Sequence, residues 1–138
     1  MDRNREFADR MYRFAVRVVS FCRRLPSTRE GDVIGRQLLR AGTGMPANYR
    51  AAGRARSYAD FISKLAIAVE EGDEAVFWFN VLIDTHLASD PETRDLRTEA
   101  AELLAVCAAA HRTARRRRAD HLSTQAAHRR NPTSAGSQ

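Results

Sequence analysis

The sequence predicts an all-α protein: an antiparallel four-helix bundle with a kinked second helix and a disordered basic C-terminal tail. Three observations lead there. Apolar residues recur at alternating spacings of three and four in four separate segments, the period of an amphipathic helix. Gly and Pro are scarce, seven and four in 138 residues. The links between segments are short, which places consecutive helices antiparallel.

The first segment runs from about Arg3 to Leu25, with Phe7, Met11, Phe14, Val18, Phe21 and Leu25 on one stripe. Leu25-Pro26 ends it, because the residue before a proline avoids the helical region. Ser27 with Glu30 three residues on reads as a capping box opening the second segment, whose stripe is Ile34, Leu38, Ala41, Met45, Asn48 and Ala52. Pro46 lacks the N–H that would bond Gly42 and its ring crowds that carbonyl, so a kink or short break is expected between Thr43 and Pro46. Asn48, on the apolar stripe just beyond, is expected to tie down backbone carbonyls that Pro46 frees; a ligand role is the alternative.

Ser57 and Asp60 form a second box before the third segment. It carries two overlapping stripes: Tyr58, Ile62, Leu65, Val69, Gly72, Val76, Phe79 and Ile83, and beside them Phe61, Ala68, Ala75 and Leu82. So wide an apolar arc marks a central helix or one that packs beyond its own bundle. Phe77, Trp78 and Phe79 cannot all face one core, which points to a homo-oligomer; a thick monomer core is the other reading. After Thr85–Ser89, Asp90-Pro91-Glu92 opens the fourth segment with Pro at its first position and acids in its first turn. Its stripe is Leu96, Ala100, Leu103, Cys107, Ala110 and Ala114. Beyond Arg118 periodicity and large apolar residues run out. The division expected is a bundle over 1–118 and a disordered tail over 119–138.

Charge is unevenly placed. Residues 1–26 and 29–56 are each net +4, 57–88 net −5 and 89–110 net −3, so the overall +6 equals the net charge of residues 111–138. All basic residues but Lys64 are arginine, whose planar fork suits carboxylate and phosphate, although GC-rich codon usage gives the same bias. Arg50, Arg54 and Arg56, with Arg36 and Arg40, face phosphate or pair with Glu70, Glu71, Asp73 and Glu74; the near balance of the two segments favours pairing. Arg112, Arg115, Arg116, Arg117, Arg118, Arg129 and Arg130 have no comparable acidic counterpart. They form either a solvated tail or a nucleic-acid contact.

Reaction chemistry is not legible. A di-metal carboxylate bundle needs Glu-x-x-His pairs, and none occurs. Cys107 and His111 are four apart, with Cys22 a conceivable third ligand, but Cys107 lies on the apolar stripe, where a thiol packs as a hydrophobe. Gly42 and Gly44 lack the Gly-Lys-Ser/Thr ending of a phosphate loop. No catalytic residue, metal or cofactor is expected. Two cysteines make no disulfide framework. The start MDRNREF lacks a signal-peptide apolar run, and the longest apolar run, Leu103 to Ala110, is too short to span a bilayer. A soluble cytoplasmic protein without membrane contact is expected.

The stretch from Arg40 to Phe79 resembles the four-helix-bundle family of 23S rRNA intervening-sequence proteins. The residues that carry the likeness are Arg40-Ala41, Met45-Pro46-Ala47-Asn48, Arg54-Ala55-Arg56-Ser57 and Asp60-Phe61-Ile62. Asn48 to Ala52 and Glu71-Gly72-Asp73-Glu74 leading into Phe77-Trp78 look like a common subgroup. Other members have Ala-Glu-Gly where this chain has Arg50-Ala51-Ala52, so no role of that Glu carries over, and the Arg-rich tail looks peculiar to this sequence. The resemblance covers roughly residues 5–114. It implies a homopentamer with no catalytic residues, related to accessory proteins of diversity-generating retroelements that bind nucleic acid and a reverse transcriptase through basic surface. The expectation is thus a non-enzymatic oligomer that binds nucleic acid, RNA foremost, through its arginines. The alternative is an assembly or adaptor protein with a protein partner and no nucleic-acid role.

Overall fold

The computed structural model describes residues 2–131. Four helices, α1 (Arg3–Arg23), α2 (Arg29–Gly53), α3 (Tyr58–Asp84) and α4 (Pro91–Arg130), account for nearly all of them, and no strand occurs among the described residues. Each helix starts on a side-chain cap that satisfies an otherwise orphaned N–H. Asp2 accepts from the Asn4 N–H, Thr28 from Gly31, Ser57 from Asp60 and Asp90 from Thr93. The second cap is therefore Thr28 and not Ser27. Gly31 explains the shift: a Cβ there would stand 2.1 Å from the Pro26 carbonyl oxygen, so the glycine lets the α1–α2 turn close tightly and moves the helix start on by one residue.

α2 passes through Pro46 as one continuous helix; of the kink or short break expected between Thr43 and Pro46, the break does not occur, and the in-phase stripe belongs to a single element. Pro46 is itself buried, and Gly42 lies against Val18 of α1.

The expected core is present. Phe14, Leu38, Leu65, Phe79 and Leu103 are all at most 1% exposed, joined by Met11, Val18, Met45, Leu82 and Leu96. On α3 the buried set is Leu65, Ala68, Gly72, Ala75, Phe79 and Leu82, with Ile83. That is one seam drawn from both expected stripes. Ile62, Val69 and Val76 flank it half-buried, while Tyr58 is exposed. Spacings of three and four that average 3.5 keep the seam facing the bundle. α2 and α3 approach closely because Gly72 leaves room for the Met45 sulfur.

α1 is fastened to α4 by charge. Arg10 pairs with Glu99 and Glu102, Arg17 with Asp95 at 2.7 Å and Arg24 with both oxygens of Glu92 at 2.6 Å. Arg10, Arg17 and Arg24 are seven apart, so they share one edge of α1.

The largest departure from expectation is α4. Its core stripe ends at Ala114, yet the helix continues to Arg130, with every residue from Arg115 onward exposed. Residues 119–130 are thus an overhanging helix and not an irregular tail, and 132–138 lie outside the described residues. Ala and Arg, both good helix formers, make up five of residues 119–130, and no Gly or Pro interrupts the segment before residue 132. It extends a helix already nucleated in the bundle, which removes the costly first turn.

Candidate nucleic-acid interface

Helix direction decides which charges meet. α2 ends, α3 begins and α1 begins at the same end of the bundle, and α4 leaves the core there. The Tyr58 hydroxyl at the start of α3 donates to the Ala114 carbonyl on α4 at 3.1 Å. Phe7 of α1 packs edge-on against Tyr49 of α2, ring centres 5.0 Å apart. Arg50 and Arg54 at the end of α2, Arg56 in the α2–α3 link, and Arg112 and Arg115 to Arg118 on α4 therefore collect around one end. All are exposed, and none makes an ion pair among the described residues. Arg129 and Arg130 are exposed on the last turn of the overhang, about 24 Å beyond Ala114 at 1.5 Å per residue.

Two open depressions lie in this end. One, of about 930 Å³ between α1 and α2, has Arg5, Arg50 and Arg54 along its rim beside Asp2 and Asp9, with Met11, Tyr12, Pro46 and Phe61 among its walls. The other, of about 500 Å³, lies between the start of α3 and the overhang, and Arg117, Arg118 and His121 line it.

The expected pairing of the α2 arginines with the acids of α3 is realised once, by Arg40 and Glu74 at 3.1 Å. Register explains the rest. Arg40 meets Glu74, and Gly44 lies against Glu71. In an antiparallel pair Arg50 then falls at the level of Leu65, and the acids stand nearer the far end. The α1–α4 pairs were missed in the sequence. Their signal was the seven-residue spacing of Arg10, Arg17 and Arg24 against Glu92, Asp95, Glu99 and Glu102, which recur at three and four.

Asn48 is half-buried, and its amide donates to the Gly44 carbonyl at 2.8 Å. The carbonyl that Pro46 leaves without its usual N–H is that of Gly42. Asn48 therefore supports the helix two residues further on and does not replace the lost bond.

Glu71 leans over Gly44 with one carboxylate oxygen buried and unpartnered. Burial holds its carboxyl above the usual range, Glu74 and Glu70 push the same way, and Arg40 opposes them. Among the described residues no three His, Cys, Asp or Glu side chains converge. Burial pushes the thiols of Cys22 and Cys107 up to about 11, far from the range of a reactive thiolate. No described helix is long and apolar enough to cross a membrane.

Comparison with known proteins agrees with this architecture. The family model for the 23S rRNA-intervening sequence protein matches residues 3–109. The chain belongs to that family. A crystal structure at 1.70 Å of a protein of unknown function from the S23 ribosomal protein family, from Bacteroides thetaiotaomicron VPI-5482, is 32% identical. It superimposes with a TM-score of 0.70 over 76% of this chain and 97% of its own. No curated protein matches. The matched family segment contains Arg50, Arg54 and Arg56 and stops short of Arg112, so the overhang lies outside it.

Proposed function

We propose that this member of the intervening-sequence family is a non-catalytic, cytoplasmic, self-associating bundle that binds nucleic acid, RNA foremost, through its arginine-rich end. The supporting observation is the gathering of Arg50, Arg54, Arg56, Arg112 and Arg115 to Arg118 around one end, exposed and without acidic partners. Four other arginines, Arg10, Arg17, Arg24 and Arg40, meet carboxylates. Arginines free of carboxylate partners can neutralise phosphates and so release the cations condensed on a nucleic acid.

Titration of RNA at several salt concentrations tests this reading. Affinity is expected to fall steeply with salt, each phosphate neutralised adding about −0.7 to the logarithmic slope on single strands. Removing everything after Ala114, the last buried residue of α4, is expected to weaken binding to unrelated sequences alike, since phosphate contacts carry little sequence information. Affinity left in the truncated chain is assigned to Arg50, Arg54 and Arg56. Equal affinity and slope for both chains would favour the second reading, an oligomeric adaptor with a protein partner. That reading has its own support in Phe77, 55% exposed beside Trp78 on α3. Five copies is the number the family resemblance suggests.

A further inference from the structure

We infer that the groove between the start of α3 and the α4 overhang is a seat for an unpaired nucleotide, so that the basic end prefers single-stranded nucleic acid to duplex. This rests on the nucleic-acid reading above and narrows it. Ala114, Arg117, Arg118, His121 and Leu122 follow one another at helical spacing, so one face of α4 is turned to the α3 start. With Tyr58 and Ala59 the last four line an open, mainly apolar space of about 500 Å³, enough for one nucleotide. Tyr58 is 45% exposed, and its ring is fixed at both ends. The hydroxyl donates to the Ala114 carbonyl at 3.1 Å, and the ring lies nearly parallel to Phe61, with centroids 5.9 Å apart and 23° between planes. Leu122, 53% exposed, is the one large apolar side chain of the overhang. A rigid aromatic and an aliphatic wall below two arginines match a flat base carried on phosphate. No carboxylate lines the groove to repel it. Bases in a duplex are already stacked and paired, so only an unpaired one can enter.

Fluorescence anisotropy tests this with labelled oligouridylate, oligothymidylate and a mixed-sequence RNA duplex, each about 12 nucleotides long, within the usual site size. The full chain is expected to bind single strands about tenfold more tightly than duplex at equal salt, the range of one or two stacked bases. Tyr58→Ala is expected to abolish that preference and leave duplex affinity unchanged. Tyr58→Phe, which keeps the ring and removes the hydroxyl, is expected to retain it. Arg117→Gln with Arg118→Gln is expected to weaken every probe. A stronger grip on the uridylate or the thymidylate names the natural strand, and either supports the seat. Equal wild-type affinity for strand and duplex, or a Tyr58→Ala loss shared by both in a chain of unchanged circular dichroism, overturns the seat and leaves the electrostatic interface standing. Absence of salt-dependent binding to any probe overturns the interface as well.

Discussion

At the residue scale, the same substitution has opposite expected effects at two glycines. Gly31→Ala drives a Cβ against the Pro26 carbonyl oxygen, a backbone atom that cannot move without opening the α1–α2 turn. It is expected to cost about 1–3 kcal/mol, the usual range for overpacking. Gly53, at the last turn of α2, has nothing within 4 Å of such a Cβ. Gly53→Ala is expected to stabilise by up to about 1 kcal/mol, the difference in helix propensity. Urea titrations of the two variants check both signs. Glu71 supplies a pH-dependent counterpart. Its folded carboxyl titrates above the ordinary value of 4.5 because it is half-buried beside Glu74 and Glu70. The folded chain therefore favours its protonated form: its contribution is most favourable below that ordinary value and is lost as pH rises through the folded one. Glu71→Gln is expected to raise the thermal midpoint at pH 7 and to change it little near pH 4; a lower midpoint at pH 7 would mean that the ionised carboxylate is stabilising. Neither effect was legible in the sequence. Helical spacing places Gly31, Gly44 and Glu71 on their faces but says nothing of which backbone or carboxylate stands opposite.

At the element scale, the four helices were legible to within a residue or two at their capped ends, because caps and apolar period are both local. Ser57 and Asp90 were found for that reason. Thr28 was missed because the capping-box pattern also fits Ser27, and the deciding contact, Gly31 on Pro26, is one of close approach. The end of α4 was missed for the opposite reason. Past Ala114 no apolar stripe exists to follow, and only intrinsic propensity remains as a signal. That difference has a measurable consequence. Residues 115–130 bury nothing, so their helix is held by continuity with the packed half and by local bonds such as Thr124 to the Asp120 carbonyl at 3.0 Å. Amides after Arg118 are expected to exchange with solvent far faster than those between Leu96 and Ala114, as segments without tertiary contact do. Truncation after Arg118 is expected to alter unfolding free energy by no more than about 0.5 kcal/mol. Protection of the overhang equal to that of the core in the isolated chain would show that something else packs on it. RNA that raises its protection would place the overhang in the complex.

At the scale of the whole molecule, charge and apolar surface are divided between different parts of the bundle. The formal charges of residues 1–110 sum to zero, with the α1–α4 pairs and Arg40–Glu74 joining some of them, and the excess lies on α4 from residue 111, where it leaves the bundle. The spare apolar surface lies on α3. Phe77 is 55% exposed, its ring edge-on to Trp78 at 4.9 Å, and Trp78 is in turn held by Glu74 through its indole N–H at 3.4 Å. Ile62, Val69 and Val76 are only half-buried along the flank of the α3 seam. A single exposed aromatic is ordinary on a protein surface; an anchored aromatic pair on a helix whose flank is also partly open is the material of an interface core. The wild-type chain is therefore expected to run as a homo-oligomer in light scattering at micromolar concentration, and Phe77→Asp to run as a monomer with unchanged helical circular dichroism. Assembly and nucleic-acid binding are then linked by arithmetic. Each copy contributes one basic end, and copies held together make later contacts with one strand intramolecular. The Phe77→Asp chain is expected to lose affinity for a long RNA by at least about tenfold while keeping that for a strand too short to span two copies, a gap that effective concentration alone produces. A wild-type monomer at these concentrations would remove the assembly; equal losses on long and short RNA would show that Phe77 supports the bundle itself and not its multiplication.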